Sequence, residues 1–166
     1  MEAGDALAST IEASIALAGF SGIVVVLGRR NQGEWRPQEE LRLVNLLVNG
    51  FTAFFSSLLG ILLLSTSLSV ETTWRICSLV WFVAVAAHSC WILIRSRRLG
   101  DDDLRKSSPF FFWFLSAISA SALLLQLANV VSLHQFWPFF VGIVTCLFLG
   151  ARQFIVLVLP RFEPET

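Results

Sequence analysis

Residues 110–133 read FFFWFLSAISASALLLQLANVVSL and carry no charged side chain. As an α-helix rising about 1.5 Å per residue, the stretch is about 36 Å long, more than the roughly 30 Å of a bilayer's hydrocarbon core. A helix apolar on every face must be buried in a large core or in lipid. Four more runs of this kind surround it, at residues 7–27, 41–68, 74–94 and 137–159. Together they predict an all-α fold: an integral membrane bundle of five transmembrane helices, one domain over residues 1–166, solvated by a lipid bilayer. The 41–68 run exceeds what a bilayer needs, so it is expected to tilt or project. Pro109 and Pro138 suit first helical turns, where a missing N–H is harmless, and Pro160 suits a stop.

Composition points the same way. Hydrophobic residues make up 55% of the chain and charged residues 14%, with a mean hydropathy of +0.72. A soluble domain carries about 25% charged residues. Twelve basic residues balance twelve acidic ones, so no global field draws the chain to nucleic acid. Cys77, Cys90 and Cys146 lie inside apolar runs without metal-ligand spacing and read as small buried apolar residues. No HExxH motif, metal-ligand cluster or P-loop is present, so neither a metal nor a cofactor is expected. Asp101-Asp102-Asp103 lacks the Gly and Glu positions of an EF-hand loop. Flanked by Arg97, Arg98, Arg105 and Lys106, it reads as a solvated loop. Glu2 and Asp5 stand where a cleavable signal would be basic.

Basic residues set the expected orientation. Arg29, Arg30, Arg36 and Arg42 flank the first connection, and Arg95, Arg97, Arg98, Arg105 and Lys106 flank the third. The second carries only Arg75, and the fourth, around His134 and Gln135, carries none. The first and third connections are therefore read as cytoplasmic, with the amino end outside and the carboxyl end inside, in a plasma membrane or bacterial inner membrane. Trp74 and Trp137 are expected at the outer interface, and Trp91 and Trp113 at the inner one.

Polar side chains inside the runs are functional candidates, since ionisable groups are costly in lipid. Helical rise puts Glu12 about 8 Å and Gln126 about 10 Å below the outer ends of their runs, a shared outer polar layer. Asn49, His88 and Arg152 fall about 9–12 Å from the inner ends, and Asn45 lies one turn from Asn49, forming an inner layer. Interhelical hydrogen bonding is the plain reading of both layers, and Arg152 can equally snorkel.

The first run has two contrasting faces. Thr10, Ser14, Ala18 and Gly22 form a small-residue face that admits a close neighbouring backbone. Roughly opposite stand Asp5, Glu12, Ala16, Gly19, Ile23, Val26 and Arg30: an acidic outer end, a small and then apolar middle, and a basic inner mouth. Such a face suits a pore-lining helix, with acidic rings selecting cations and an apolar constriction gating by dewetting. The competing reading has Glu12 protonated, or hydrogen-bonded to Gln126, within one bundle.

Three resemblances attach to this helix. IEASIALAGFSGIVVVLGRR resembles small prokaryotic multi-pass membrane proteins with an IAGFSGIV-like first helix, a likeness that implies no activity. A glutamate, a glycine-bearing apolar stretch and basic residues along one helix are similar to the pore helix of Orai calcium channels, although the order along the chain is reversed. Gly19-Phe20-Ser21-Gly22 resembles the GxSG motif of rhomboid-type intramembrane serine proteases, which would make Ser21 a nucleophile with His88 as base; the span count and the helix differ. These features point to a non-enzymatic, homo-oligomeric channel or pore conducting an inorganic cation. The alternative is a non-catalytic membrane scaffold or partner subunit with structural polar layers.

Overall fold

A computed structural model describes residues 2–32, 37–98 and 109–158. Asp101-Asp102-Asp103 and Arg36 lie outside the described residues, as do the side chains of Val26 and Arg30. Among the described residues the chain forms α1 (Ala3–Gln32), α2 (Pro37–Leu64), α3 (Val70–Arg98), α4 (Pro109–Ala128) continued by a π-helical turn (Asn129–Leu133), and α5 (Phe136–Val158). Each of the five apolar runs falls on its own helix, and all five are long and apolar enough to cross a membrane. This is the architecture of a multi-pass membrane protein.

The helix ends reflect local chemistry and differ from the apolar runs. α1 starts at Ala3 rather than Leu7, because Asp5 in its first turn complements the helix dipole. Pro37, Glu39 and Glu40 open α2 for the same reason. α2 stops at Leu64, short of Leu68, where the Ser65 and Thr66 hydroxyls fold back onto the carbonyls of Leu62 and Leu63 at 2.7 and 2.6 Å. Ser69 then caps α3, its hydroxyl accepting the Thr72 N–H at 3.2 Å. The α2–α3 and α4–α5 connections lie at one end of the bundle, the turn end. Arg42 and Arg95 mark the other, the basic end.

α2 is the central element, packed most extensively against α1 and α5 and less against α3, while α4 touches α3 and α5. Leu7, Trp81, Phe139 and Ile143, all fully buried, fill the core among α1, α2, α3 and α5. The outside is apolar instead of charged: Trp113, Val131 and Leu124 are 71%, 69% and 67% exposed. Such a surface is unsuited to water and suited to lipid. Trp74 departs from the expected interface role. It is buried against Phe136 and Phe139, because α3 begins a turn earlier than its apolar run and carries Trp74 into the core. Cys77 and Cys146 are buried as expected, but Cys90 lies on the outward face of α3 and is exposed.

Candidate functional site

The two faces of α1 meet different fates. Thr10 and Ser14 are buried and Ala18 is half-buried. The Thr10 and Ser57 hydroxyls meet at 2.7 Å, joining α1 to α2. Each hydroxyl also reaches a backbone carbonyl of its own helix, Thr10 to Leu7 and Ser57 to Ala53. A 3.6-residue turn makes Ser21, rather than Gly22, the next buried position; Gly22 is exposed. The other face, Asp5, Glu12, Ala16, Gly19 and Ile23, is exposed throughout. A Cβ built at Gly19 or Gly22 would meet nothing within 4 Å.

Contacts across the bundle fix the depth of Glu12. Leu7 and Phe139 both lie against Gly60, and Leu17 lies against Gly50 and Gly150. Interpolation sets Glu12 level with Phe55 and Thr145. Glu12 is nine residues from Ala3, Phe55 nine from Leu64 and Thr145 nine from Phe136. The Glu12 backbone thus stands about 13–14 Å from the turn end, near the middle of the Ala3–Ile23 apolar span. The shallower depth read from the sequence counted from Leu7, four residues after the helix begins. Among the described ionisable side chains that are exposed, Glu12 is the one farthest from a helix end.

Glu12 and Gln126 are not brought together. Gln126 is wholly buried, and its Nε2 donates to the Pro138 carbonyl, tying α4 to the first turn of α5. Gly142 faces this amide so closely that a Cβ would come within 2.7 Å of Nε2. One turn on, Asn129 is also wholly buried. Its Nδ2 donates to Ser78 Oγ at 2.7 Å and to the Gln135 carbonyl at 3.0 Å, and its Oδ1 accepts the Gln135 N–H at 2.9 Å. One side chain therefore binds both backbone groups of the α4–α5 connection and anchors that connection to α3. Asn129 also starts the π-helical turn, with its carbonyl accepting the His134 N–H at 3.1 Å, and His134 adopts φ 52° as the chain reverses. Reasoning from the sequence passed over Asn129, Ser78 and Ser57. The available signal was an uncharged amide inside an apolar run, three residues from Gln126 and hence on its face.

At the basic end, three of the four inner-layer residues meet. Asn49 Nδ2 donates to Asn45 Oδ1 at 3.0 Å and to the Asn45 carbonyl at 2.8 Å. His88 Nε2 lies 2.8 Å from Asn45 Oδ1. Because that oxygen only accepts, the bond belongs to the tautomer protonated on Nε2. Arg152, half-buried on α5, makes no hydrogen bond to Asn45, Asn49 or His88 among the described residues. Level depth placed it in the layer, whereas its position around α5 points away. Buried Gly150 packs against Leu17 and Asn49, and Arg152, two residues on, is rotated by about 200°. Ser21 Oγ donates to the Ala18 carbonyl at 2.6 Å, so the partners the structure gives Ser21 and His88 are Ala18 and Asn45.

No family model, curated protein or solved structure matches the chain.

Proposed function

We propose that the chain is the protomer of a homo-oligomeric membrane channel or pore, cation-conducting and lined by α1. The observation that carries the reading is the exposed Glu12 face. A lone acidic side chain at mid-bilayer depth costs about 3 kcal/mol on insertion scales, and the protomer offers Glu12 no partner among the described residues. Copies arranged about an axis would turn that face from lipid to a shared polar path. The filled core, with Leu7, Trp81, Phe139 and Ile143 wholly buried, leaves such a path to run between protomers. In this reading Asp5 lies at the outer mouth, Glu12 forms the carboxylate ring, and Ala16, Gly19 and Ile23 form the narrow apolar part, continued by Val26 and Arg30. The amino end faces outward and the carboxyl end the cytoplasm, across a plasma or bacterial inner membrane. One observation favours a second reading, a non-catalytic scaffold or partner subunit: the Thr10, Gln126 and Asn129 bonds all close within one chain.

Ion flux in liposomes holding the purified protein tests the proposal, together with its oligomeric state in detergent. Glu12→Gln should shift the reversal potential toward anions. Gly19→Leu should reduce flux: a Cβ there meets nothing within 4 Å in the protomer, so the added side chain projects from the exposed face toward the proposed path. A monomer that passes no ions would favour the scaffold. Conduction with an unchanged reversal potential in Glu12→Gln would remove Glu12 from the path. Cysteine probes at Glu71 and Gln135 should label from outside, and probes at Arg36 and Asp102 from the cytoplasm; the reverse pattern would invert the orientation.

A further inference from the structure

The loosely packed seam between α2 and α3 holds two hollows on one line. The first, about 350 Å³, lies at the basic end among Pro37, Glu40, Leu41, Val44, Trp91, Ile94 and Arg95. The second, about 270 Å³, lies deeper, between Val48, Phe51, Thr52, Phe55, Ser56, Val80 and Ala84. Along α2 the lining positions recur at three- and four-residue steps from Pro37 through Val44 and Val48 to Phe55, so they share one helix face. Along α3, Val80 and Ala84 line the second hollow and, two turns on, Trp91 and Arg95 line the first, on the same face and in the opposite direction. The hollows therefore lie in line along the same faces of α2 and α3, separated by the His88–Asn45 bond that joins the two helices.

The chemistry changes along this seam in one direction. Its mouth holds a guanidinium, Arg95, and a carboxylate, Glu40, which do not pair with each other among the described residues. Trp91 is exposed beside them, as indoles are at the headgroup level. From Val44 inward the lining is mainly apolar, with the His88–Asn45 pair and the Thr52 and Ser56 hydroxyls as its polar members. Val44 to Phe55 spans about 16 Å, the hydrocarbon depth of one leaflet.

We propose that this seam binds one phospholipid with a zwitterionic, amine-bearing headgroup of the phosphatidylethanolamine type. Arg95 takes the phosphate, Glu40 accepts from the ammonium, and one acyl chain lies over Val44, Val48, Phe51 and Val80. An anionic headgroup of the phosphatidylglycerol type carries the same phosphate for Arg95 but no cation to offset the Glu40 carboxylate. A quaternary amine would leave Glu40 without a hydrogen-bond donor. The inference rests on the helices crossing a bilayer and is independent of conduction.

Native mass spectrometry of the full chain in detergent, titrated with phosphatidylethanolamine, phosphatidylcholine and phosphatidylglycerol of matched acyl chains, tests it. One phosphatidylethanolamine per chain should be retained about fivefold more tightly than the others, the factor one partly exposed ion pair supplies. Arg95→Gln should weaken that binding, and Glu40→Gln should abolish the preference over phosphatidylcholine. Ala84→Leu, filling the second hollow from an exposed position, should weaken retention of all three lipids while helicity is unchanged. Equal retention of the three lipids, indifferent to both polar substitutions, would overturn the site in favour of unspecific annular lipid. Preferred phosphatidylglycerol would overturn the headgroup assignment. Dissociation of an oligomer by Ala84→Leu, with lipid retention intact, would show that a second copy occupies the seam and overturn the proposal.

Discussion

Two polar regions of this molecule sit in apolar surroundings and are treated in opposite ways. At the turn end, Gln126 and Asn129 are wholly buried. Asn129 spends both ends of its amide on Ser78 and Gln135, while Gln126 donates from Nε2 to Pro138 and its buried Oε1 has no hydrogen-bond partner among the described residues. On α1, Glu12 stands exposed at mid-depth. Polar groups that a chain satisfies by itself are accounted for by holding helices together. In the proposed pore, an acidic group left open at that depth takes its partners from neighbouring copies, and this is how a pore face would differ from a structural one.

The largest effect should come from breaking the closed region. Asn129→Leu leaves both backbone groups of Gln135 without their side-chain partner, and should cost about 3 kcal/mol of unfolding free energy in detergent denaturation. A loss near zero would mean that the connection holds itself. Next, Gly142→Ala drives a Cβ into the Gln126 amide and should cost about 2 kcal/mol, the usual penalty for overpacking a tight contact. Relief of that cost by a second change, Gln126→Ala, would sharpen the assignment. The Thr10–Ser57 pair should show a smaller coupling, about 0.6 kcal/mol in a double-mutant cycle, typical of interhelical hydrogen bonds in membranes. Smallest of all, Glu12→Gln should alter protomer stability by less than about 0.5 kcal/mol, as a substitution without native contacts does. A large destabilisation there would erase the contrast between the two regions and place Glu12 among the structural residues.

Some of this was legible in the residues and some was not. The five spans were, because uncharged length is a one-dimensional property and lipid imposes it. The packed face of α1 was legible as well, since Thr10, Ser14 and Ala18 repeat near the helical period, although the true period passed through Ser21. Depth along each helix was recoverable only as well as the helix ends were known, and Asp5 moved one of those ends by a turn. Direction around the axis relative to the other helices was not recoverable. Gln126 and Glu12 were expected at similar depth yet belong to different surfaces, and Arg152 sits level with Asn49 without bonding it. Depth comes from counting residues, whereas azimuth depends on how helices pack.

The π-helical turn at Asn129–Leu133 fixes the number of residues before α5 as well as their kind. Each residue inserted into or removed from a helix rotates the downstream chain by about 100° and slides it by about 1.5 Å. A single deletion there could restore ordinary α-helical spacing while swinging the chain beyond Asn129 off line. Pro138 would then leave the reach of Gln126, and Phe139 would leave its seat beside Gly60. The stretch acts as a phase setting for the last helix: side chains along α5 tolerate exchange one at a time, but the count of residues leading into it does not.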